Sequence, residues 1–179
     1  MNQENQEKPL PDNTKKMGTI MMVLAWAVVL GLLVLFFTHT EENAYNPNRW
    51  VNGAQNATEN SVVLERNRFN HYVVNGEINR QTVTFLLDTG ATDVVIPEIL
   101  ANTLQLTQGR KQFAKTANGV IEVFDTSLNE LTIGSITLYN VNASINPSMD
   151  GEQILLGMSA LKNIEFTQRG NQLTLKQYR

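Results

Sequence analysis

The stretch Phe85–Thr92, which reads Phe-Leu-Leu-Asp-Thr-Gly-Ala-Thr, is the part of the chain from which fold and chemistry are best inferred. It carries an apolar strand, Val83–Leu87, directly into Asp88 and then to Gly90. Aspartate is a poor strand former, so its position at the end of this strand needs a physical reason. Two interpretations are open: an Asx-type turn that ends the strand, or a half-buried carboxylate held by backbone and hydroxyl groups for proton transfer.

The composition excludes several kinds of site. The chain has no cysteine, which rules out disulfides, thiolate zinc sites and a cysteine nucleophile. Its two histidines, His39 and His71, lie too far apart in sequence for metal-ligand spacing, and we assign His71 no catalytic role. The net charge of -3 and the lack of a basic cluster argue against nucleic acid as a partner.

The segment Met17–Phe37 carries no charged residue, and Thr19 is its one polar side chain. At about 1.5 Å per helical residue it is about 31 Å long, enough to cross the hydrocarbon core of a lipid bilayer. A cleaved signal peptide has a shorter apolar region and a small-residue cleavage site, and 36–40 offers no such site. We predict an uncleaved transmembrane signal anchor.

The charges on either side of this segment indicate its orientation. Lys15 and Lys16 precede it, and Glu41 and Glu42 follow it. By the positive-inside rule the polar tail, residues 1–16, stays in the cytoplasm as a disordered segment. The rest of the chain is then extracytoplasmic, in the periplasm if the cell is Gram-negative.

Residues 38–61 are rich in asparagine and poor in aliphatic side chains. We predict a polar linker that separates the membrane from a domain over residues 62–179. Trp50 and Val51 are the one apolar point in this linker, and docking onto the membrane or onto the domain are both open.

From Val62 onward, short apolar or β-branched runs alternate with turn signals such as Asn75-Gly76 and Asn79-Arg80. This even spacing predicts an all-β domain, a small closed or sandwiched barrel, with short helices at Pro97–Leu104 and Met158–Leu161. The predicted strands are Val62–Leu64, Tyr72–Val74, Val83–Leu87, Val94–Ile96, Leu128–Ile133, Ile136–Ile145, Ile154–Leu156, Ile164–Thr167 and Leu173–Gln177, with a hairpin over Lys111–Asp125.

The octet is followed by a second element. Asp88–Thr92, flanked by an apolar strand and by Val94–Ile96, resembles the active-site motif of retropepsin-like aspartic proteases. Ile154–Gly157 matches the apolar run ending in glycine of that family, and Leu155–Leu161 is similar to bacterial single-span, membrane-anchored members. The resemblance covers Val62–Arg179 and implies a retropepsin-type β-barrel that hydrolyses peptide bonds in polypeptide substrates, with no metal or cofactor.

Peptide hydrolysis without a covalent intermediate needs one carboxylate to accept a proton from water and another to supply a proton to the carbonyl. Asp88 is the predicted catalytic residue, and Gly90 lets the backbone approach and donate its amide to the carboxylate. By resemblance, the Thr89 hydroxyl joins a network that connects the two halves of the site. The residues predicted to support the site are Thr89, Gly90, Ala91, Leu156 and Gly157.

The second carboxylate has to be found elsewhere. The other aspartates are Asp12, Asp93, Asp125 and Asp150. Asp12 is on the other side of the membrane, and Asp150 lies in a turn-like segment. Asp125 is followed by threonine but has no glycine, and we predict an exposed strand end there. We therefore predict a homodimer in which Asp88 of each copy meets the other. By resemblance, terminal strands including Gln172–Arg179 interleave at its interface.

The hairpin over Lys111–Asp125 falls where this family carries a flap, a mobile hairpin that closes over substrate. Its predicted substrate-binding tip comprises Thr116, Ala117, Asn118, Gly119 and Val120. A hairpin that only connects strands is the alternative.

Two other functions remain open. A non-catalytic domain on the same barrel can bind an envelope partner or an extended peptide. Alternatively, activity is restricted to self-cleavage within the linker, residues 38–61, which releases the domain.

Overall fold

The computed structural model describes residues 13–51, 53–116 and 119–179, with side chains described from Met17 onward. The chain divides into two compact units, with the boundary between Glu42 and Asn43. Residues 1–12 of the predicted tail and the flap residues Ala117 and Asn118 lie outside the described residues.

The first unit is formed by helix α1 (Asn13–Tyr45), which continues into the second. Of the described residues, this helix is the single one long and apolar enough to cross a membrane by length and composition. It extends beyond Phe37, the predicted end of the span. The hydroxyls of Thr38 and Thr40 donate to carbonyls one turn earlier, at 2.8 Å each. These bonds occupy polar side chains that would otherwise compete with the helical backbone.

The second unit contains the strands and the short helices. They are β1 (Ala54–Gln55), β2 (Glu59–Glu65), β3 (Val73–Ile78), β4 (Gln81–Leu87), β5 (Val94–Pro97), α2 (Glu98–Thr103), β6 (Lys111–Thr116), β7 (Gly119–Ile133), β8 (Ile136–Asn146), β9 (Gln153–Leu156), α3 (Met158–Leu161), β10 (Glu165–Arg169) and β11 (Gln172–Tyr178).

Seven strands form the main sheet, in the order β3-β4-β9-β5-β8-β7-β6. An additional pairing of β3 with β7 connects the first strand back to the sixth, so six of the strands form a ring. Strand β6 branches from β7 outside this ring. The predicted all-β architecture, with short helices and a preceding apolar helix, is confirmed.

The interior is filled by alternate side chains of the ring strands. Phe85, Ile154, Leu156 and Ile145 are fully buried in one cluster. Each large apolar side chain buried in this way contributes about 1.5–3 kcal/mol relative to exposure. Phe85, three positions before Asp88, is thus held in the core, and Leu86 and Leu87 between them are half-buried.

The predicted turn at Asn75-Gly76 is wrong, because both residues lie inside β3. The turn is at Asn79-Arg80, where both residues adopt positive φ angles of 50° and 67°. Gly76 has a packing role: a Cβ there would lie 2.8 Å from the Phe85 ring and overlap the carbonyl of Thr132. Glycine at this position permits close approach rather than a change of chain direction.

The flap strand and the predicted separate strand Leu128–Ile133 form one continuous strand, β7. Its first part pairs with β6 and its second part with β8, from Phe124 onward. No glycine or proline interrupts 120–133, so the ladder continues through Asp125. Asp125 is therefore half-buried within a strand, and the predicted exposed strand end is wrong.

A second sheet has the strand order β1-β2-β11-β10. Strand β11 pairs along its whole length with β2 on one side and with β10 on the other. Both of its edges are therefore occupied by its own chain. Interleaving of Gln172–Arg179 with a second copy, as predicted, would require opening one of these two ladders.

Part of the segment predicted as a linker belongs to the folded unit. Asn48 is 5% exposed, and its amide nitrogen donates to the carbonyls of Glu65 (2.9 Å) and Val73 (2.7 Å). Its amide oxygen accepts from the backbone N–H of Glu65 at 2.7 Å. Asn46 is also buried and donates to the side chain of Asn75 at 2.8 Å. The compact unit thus begins well before Val62.

We expect Asn48→Ala to lower the free energy of unfolding by about 2–4 kcal/mol, because it leaves buried partners on β2 and β3 without their hydrogen bonds. Urea denaturation of residues 43–179 measures this difference. The exposed Asn163→Ala serves as control and is expected to change the free energy by less than about 0.5 kcal/mol. Equal effects of the two substitutions would contradict a structural role for Asn48.

Candidate active site

Asp88 lies directly after β4, at the point where the parallel ladder with β9 ends. Leu87 is opposite Leu156 in this ladder, and the backbone N–H of Asp88 donates to the carbonyl of Leu156 at 3.2 Å. The carboxylate is half-buried, and its Oδ1 accepts the backbone N–H of Gly90 at 2.9 Å. The structure thus contains the hydrogen bond from the Gly90 amide, and the catalytic role of Asp88 and Gly90 stays a prediction. A turn follows, closed by the N–H of Ala91 donating to the Asp88 carbonyl at 3.2 Å.

The second sequence element packs directly against this turn. The N–H of Met158 donates to the Ala91 carbonyl at 2.9 Å, and the N–H of Ser159 donates to the Thr92 carbonyl at 2.8 Å. Gly157 is buried, and a Cβ at this position would overlap the Asp93 carbonyl and lie 2.7 Å from the Ala91 carbonyl oxygen. Backbone hydrogen bonds thus join the Asp88 loop to the chain that follows Gly157.

Ser159 is a site residue that the sequence analysis did not identify. Its hydroxyl accepts the backbone N–H of Val94 at 2.9 Å and donates to the carbonyl of Asn142 at 2.7 Å. It therefore ties the start of β5 and strand β8 to helix α3. Its signal in the sequence is that it is the single hydroxyl within the apolar run Leu155–Leu161.

Asp93 is placed by the same loop. Burial raises the pKa of its carboxyl above the usual value, nearby Asp125 raises this pKa further, and Lys162 partly lowers it. Asp125 is held in β7 by backbone hydrogen bonds on both sides of its Cα, to Gly109 (2.7 Å) and Arg110 (3.0 Å). The carboxyls of Asp93 and Asp125 thus repel each other. The carboxylate of Asp88, by contrast, accepts a hydrogen bond from a backbone amide.

The predicted flap is a hairpin formed by β6 and the first part of β7. Thr116 is opposite Gly119, and the Thr116 hydroxyl donates to the Gly119 carbonyl at 2.9 Å. Gly119 has a φ of 118°, which disfavours any other residue at the turn. Phe113, 72% exposed, and Val120 lie on one face of the hairpin. The hairpin itself is confirmed, and its binding role stays a prediction.

Thr89 is exposed in the single chain, so its predicted network across two halves of a site stays a prediction. Among the described residues, no group of three or more His, Asp or Glu side chains comes together in a way that would hold a metal ion.

The fold is similar to that of a solved retropepsin-like aspartic protease from Rickettsia conorii, with a TM-score of 0.54 and 23% identity, over 72% of this chain and 96% of that chain. Residues 74–163 match the gag-polyprotein putative aspartyl protease family, and the chain belongs to that family. This segment contains both elements of the site, so the resemblance stated from Asp88–Thr92 and Ile154–Gly157 is confirmed.

Two curated relatives are uncharacterized proteins. One, from the cobV 5′ region of Sinorhizobium sp, is 30% identical over 122 residues, 66% of this chain and 52% of the relative. The other, from Rickettsia prowazekii (strain Madrid E), is 24% identical over 148 residues, 78% of this chain and 63% of the relative. The chain therefore spans about half to under two thirds of their lengths.

Ser159→Ala is expected to lower the free energy of unfolding by about 1–3 kcal/mol, because the N–H of Val94 loses its partner in a buried strand. Thermal or urea unfolding of residues 43–179 measures this. Ser127→Ala, at an exposed position on β7, is the matched control. An unchanged stability of the Ser159 variant would show that the hydroxyl does not fix the loop.

Proposed function

We propose that the chain is a membrane-anchored aspartic endopeptidase that hydrolyses polypeptides as a homodimer. The observation that supports it most directly is the environment of Asp88, whose carboxylate accepts an amide hydrogen at the end of a buried parallel ladder. Membership of an aspartyl protease family makes a peptidase the activity to test first.

The proposed chemistry uses two copies of Asp88. Two carboxyls about 3 Å apart cannot both remain ionised, so the pair shares one proton. One carboxylate takes a proton from water while the other supplies a proton to the scissile carbonyl. The support residues Thr89, Gly90 and Ala91 hold the turn, and Leu156 and Gly157 pack beneath it.

The terminal sheet offers a second copy a free strand edge at β10. Among the described residues no strand pairs with the outer side of β10, whose five side chains are all exposed. Phe166 on β10 is 44% exposed and is opposite the buried Leu175 on β11. The two side chains therefore lie on the same face of the sheet, the face that packs on the core. The short helix α3, whose backbone N–H groups donate to carbonyls of the Asp88 loop, ends at Leu161. Strand β10 begins four positions later, at Glu165. We propose that antiparallel pairing of β10 with its symmetry mate forms the dimer.

Substrate would bind as an extended strand between the Asp88 turn and the flap. Strand addition needs a backbone edge, and β6 is the free edge of the main sheet among the described strands. The structure describes three residues of the proposed flap tip: Thr116, Gly119 and Val120.

The proposed location follows from α1. The segment Met17–Phe37 spans the bilayer, the N-terminus is cytoplasmic, and the catalytic unit is extracytoplasmic. The apolar length of the helix and the lysines before it support this arrangement.

Asp88→Asn is expected to reduce cleavage of an unfolded protein or a peptide library by at least about 10³-fold, because an amide cannot exchange the proton. Circular dichroism should show an unchanged fold. The control is Asp125→Asn, because Asp125 is also half-buried and is also followed by threonine. This variant should retain activity. Undiminished proteolysis in the Asp88 variant would refute the assignment. A wild-type chain that binds peptides without cleaving them from acid to neutral pH would favour the non-catalytic alternative.

Phe166→Glu should shift the unit from dimer to monomer and reduce activity in parallel, since it places a charge at the paired edge. Analytical ultracentrifugation and peptide cleavage on the same samples test this. Phe113→Glu introduces the same charge at a more exposed position on the flap and should leave the oligomeric state unchanged. A Phe166 variant that remains an active dimer would exclude the β10 interface.

A further inference from the structure

The side chain of Asp88 lies on the outer face of the ring of strands. Successive side chains of a strand alternate between its two faces. Phe85 is buried in the core, so Leu86, next along β4, lies on the outer face. Leu155 of β9 is opposite Leu86 in the parallel ladder, and both leucines are half-buried. The N–H of Asp88 continues this ladder to the carbonyl of Leu156, which places the Asp88 side chain on the same outer face as Leu86.

Tyr45 closes one end of this face. Gln153 is two positions before Leu155 on β9, so its side chain lies on the same outer face. The Tyr45 hydroxyl donates to the Gln153 amide oxygen at 3.0 Å. Because β4 and β9 run parallel, Leu86 and Leu155 lie between this hydrogen bond and Asp88. A pair of leucines is thus bordered by the carboxylate on one side and by the tyrosine on the other.

We propose that Leu86 and Leu155 form the floor, and Tyr45 the wall, of a pocket for a substrate side chain close to the bond that is cut. Tyr45 is then a specificity-determining residue, which limits the size of that side chain. The preferred substrate is a polypeptide with a leucine-sized apolar residue at this position rather than an aromatic one. The proposal rests on the proposed function, because it concerns the substrate of that same site.

The position of the floor identifies the substrate residue that it takes. Leu86 is two positions before Asp88, which corresponds to about 7 Å along a strand. An extended peptide rises by a similar amount per residue, so the floor takes a side chain within two residues of the cut bond. In the proposed symmetric dimer each copy contributes one such pocket, and the residues on both sides of the bond meet the same wall.

The wall is held in place by contacts within the second unit, which begins at Asn43. The buried Asn67 donates from its amide to the Tyr45 carbonyl at 2.9 Å and accepts the N–H of Phe69 at 2.9 Å. The Phe69 ring contacts the Tyr45 ring edge to face, with centroids 6.4 Å apart. Since Gln153 holds the hydroxyl as well, the backbone, the ring and the hydroxyl of Tyr45 each have a partner. The ring therefore does not move aside freely when a large side chain enters.

The chemistry of the lining sets the preference. Leucine side chains offer no hydrogen-bond partner, so a charged group placed on them would lose its hydration without compensation. A hydrophobic pocket distinguishes side chains that differ by one methylene group by about 10–200-fold. An aromatic ring extends further than a leucine side chain, and a fixed wall therefore excludes it more strongly.

The other possible role of Tyr45 is to occupy the site itself and to block every substrate. Leu86 and Leu155 are half-buried rather than buried beside it, and Tyr45 is 42% exposed, which favours a wall. The two roles differ in their consequence. An inhibitory side chain lowers the cleavage of all peptides alike, whereas a wall acts only on large side chains.

Tyr45→Ala and Tyr45→Trp in the detergent-solubilised full-length chain test the wall in both directions. Digestion of a peptide library by the wild-type chain first locates the cut bond. Peptides that differ only in leucine or phenylalanine within two residues of this bond are then compared by kcat/KM. We expect Tyr45→Ala to raise the phenylalanine-to-leucine ratio of kcat/KM about tenfold, because it opens the pocket. Tyr45→Trp fills more space and should lower the ratio several-fold.

The matched control is Tyr139→Ala, which removes an exposed tyrosine on β8, opposite Glu130. This variant should keep the ratio of the wild-type chain. Circular dichroism checks the fold of all three variants. If Tyr45→Ala does not fold, Tyr45→Trp decides, since the indole keeps an aromatic ring and a donor for the amide oxygen of Gln153.

The same ratio in the wild-type chain and in the Tyr45 variants would exclude the pocket. A uniform rise in the cleavage of both peptides by Tyr45→Ala would assign an inhibitory role to Tyr45 and also exclude it. If the wild-type chain cleaves no peptide, or if Asp88→Asn cleaves as well as the wild type, the proposed function fails and the pocket fails with it. An active wild-type chain whose preference does not depend on Tyr45 contradicts the pocket alone.

Discussion

The parallel pairing of β4 with β9 is the interaction on which the site depends. It places Leu156 opposite Leu87, and the N–H of Asp88 then extends this ladder to the Leu156 carbonyl. Parallel neighbours need a crossover connection, and here the crossover contains four other strands of the main sheet, the flap among them. Because the pairing joins residues far apart in sequence, the loop-closure entropy of the whole connection opposes it. The contacts of Gly157 and Ser159 with the Asp88 loop help to offset that cost.

The sequence predicts the parts of this arrangement that have local signals. The apolar run before Asp88, the Leu-Leu-Gly element and the alternating strands each have a pattern that one stretch of chain displays. Gly76 shows where such reasoning fails. The Asn75-Gly76 pair favours a turn, but here the glycine lies inside β3, where the Phe85 ring and the Thr132 carbonyl leave no room for a side chain. Ser159 was missed for a related reason: the partners of its hydroxyl, Val94 and Asn142, are known only once the strands are paired.

The pairing of the terminal strands within one chain has a physical reason, and their interleaving with a second copy stays a prediction. Strands β10 and β11 are joined by a tight turn at Gly170, which has a φ of 59°. A hairpin with so short a connection forms at little entropic cost, whereas the same hydrogen bonds made to a second copy require association. The local pairing therefore takes the place beside β2, and among the described strands the outer side of β10 stays unpaired.

The membrane attachment constrains the geometry of any homodimer. Two chains that cross the same bilayer in the same direction can be related only by a twofold axis along the membrane normal. The paired Asp88 carboxylates would lie on either side of this axis. Confinement to the membrane also raises the effective concentration of the partner, so a modest interface such as one strand edge can be sufficient. The hydrogen bonds of Asn48 act within the folded unit, where they hold the segment before β2 against β2 and β3.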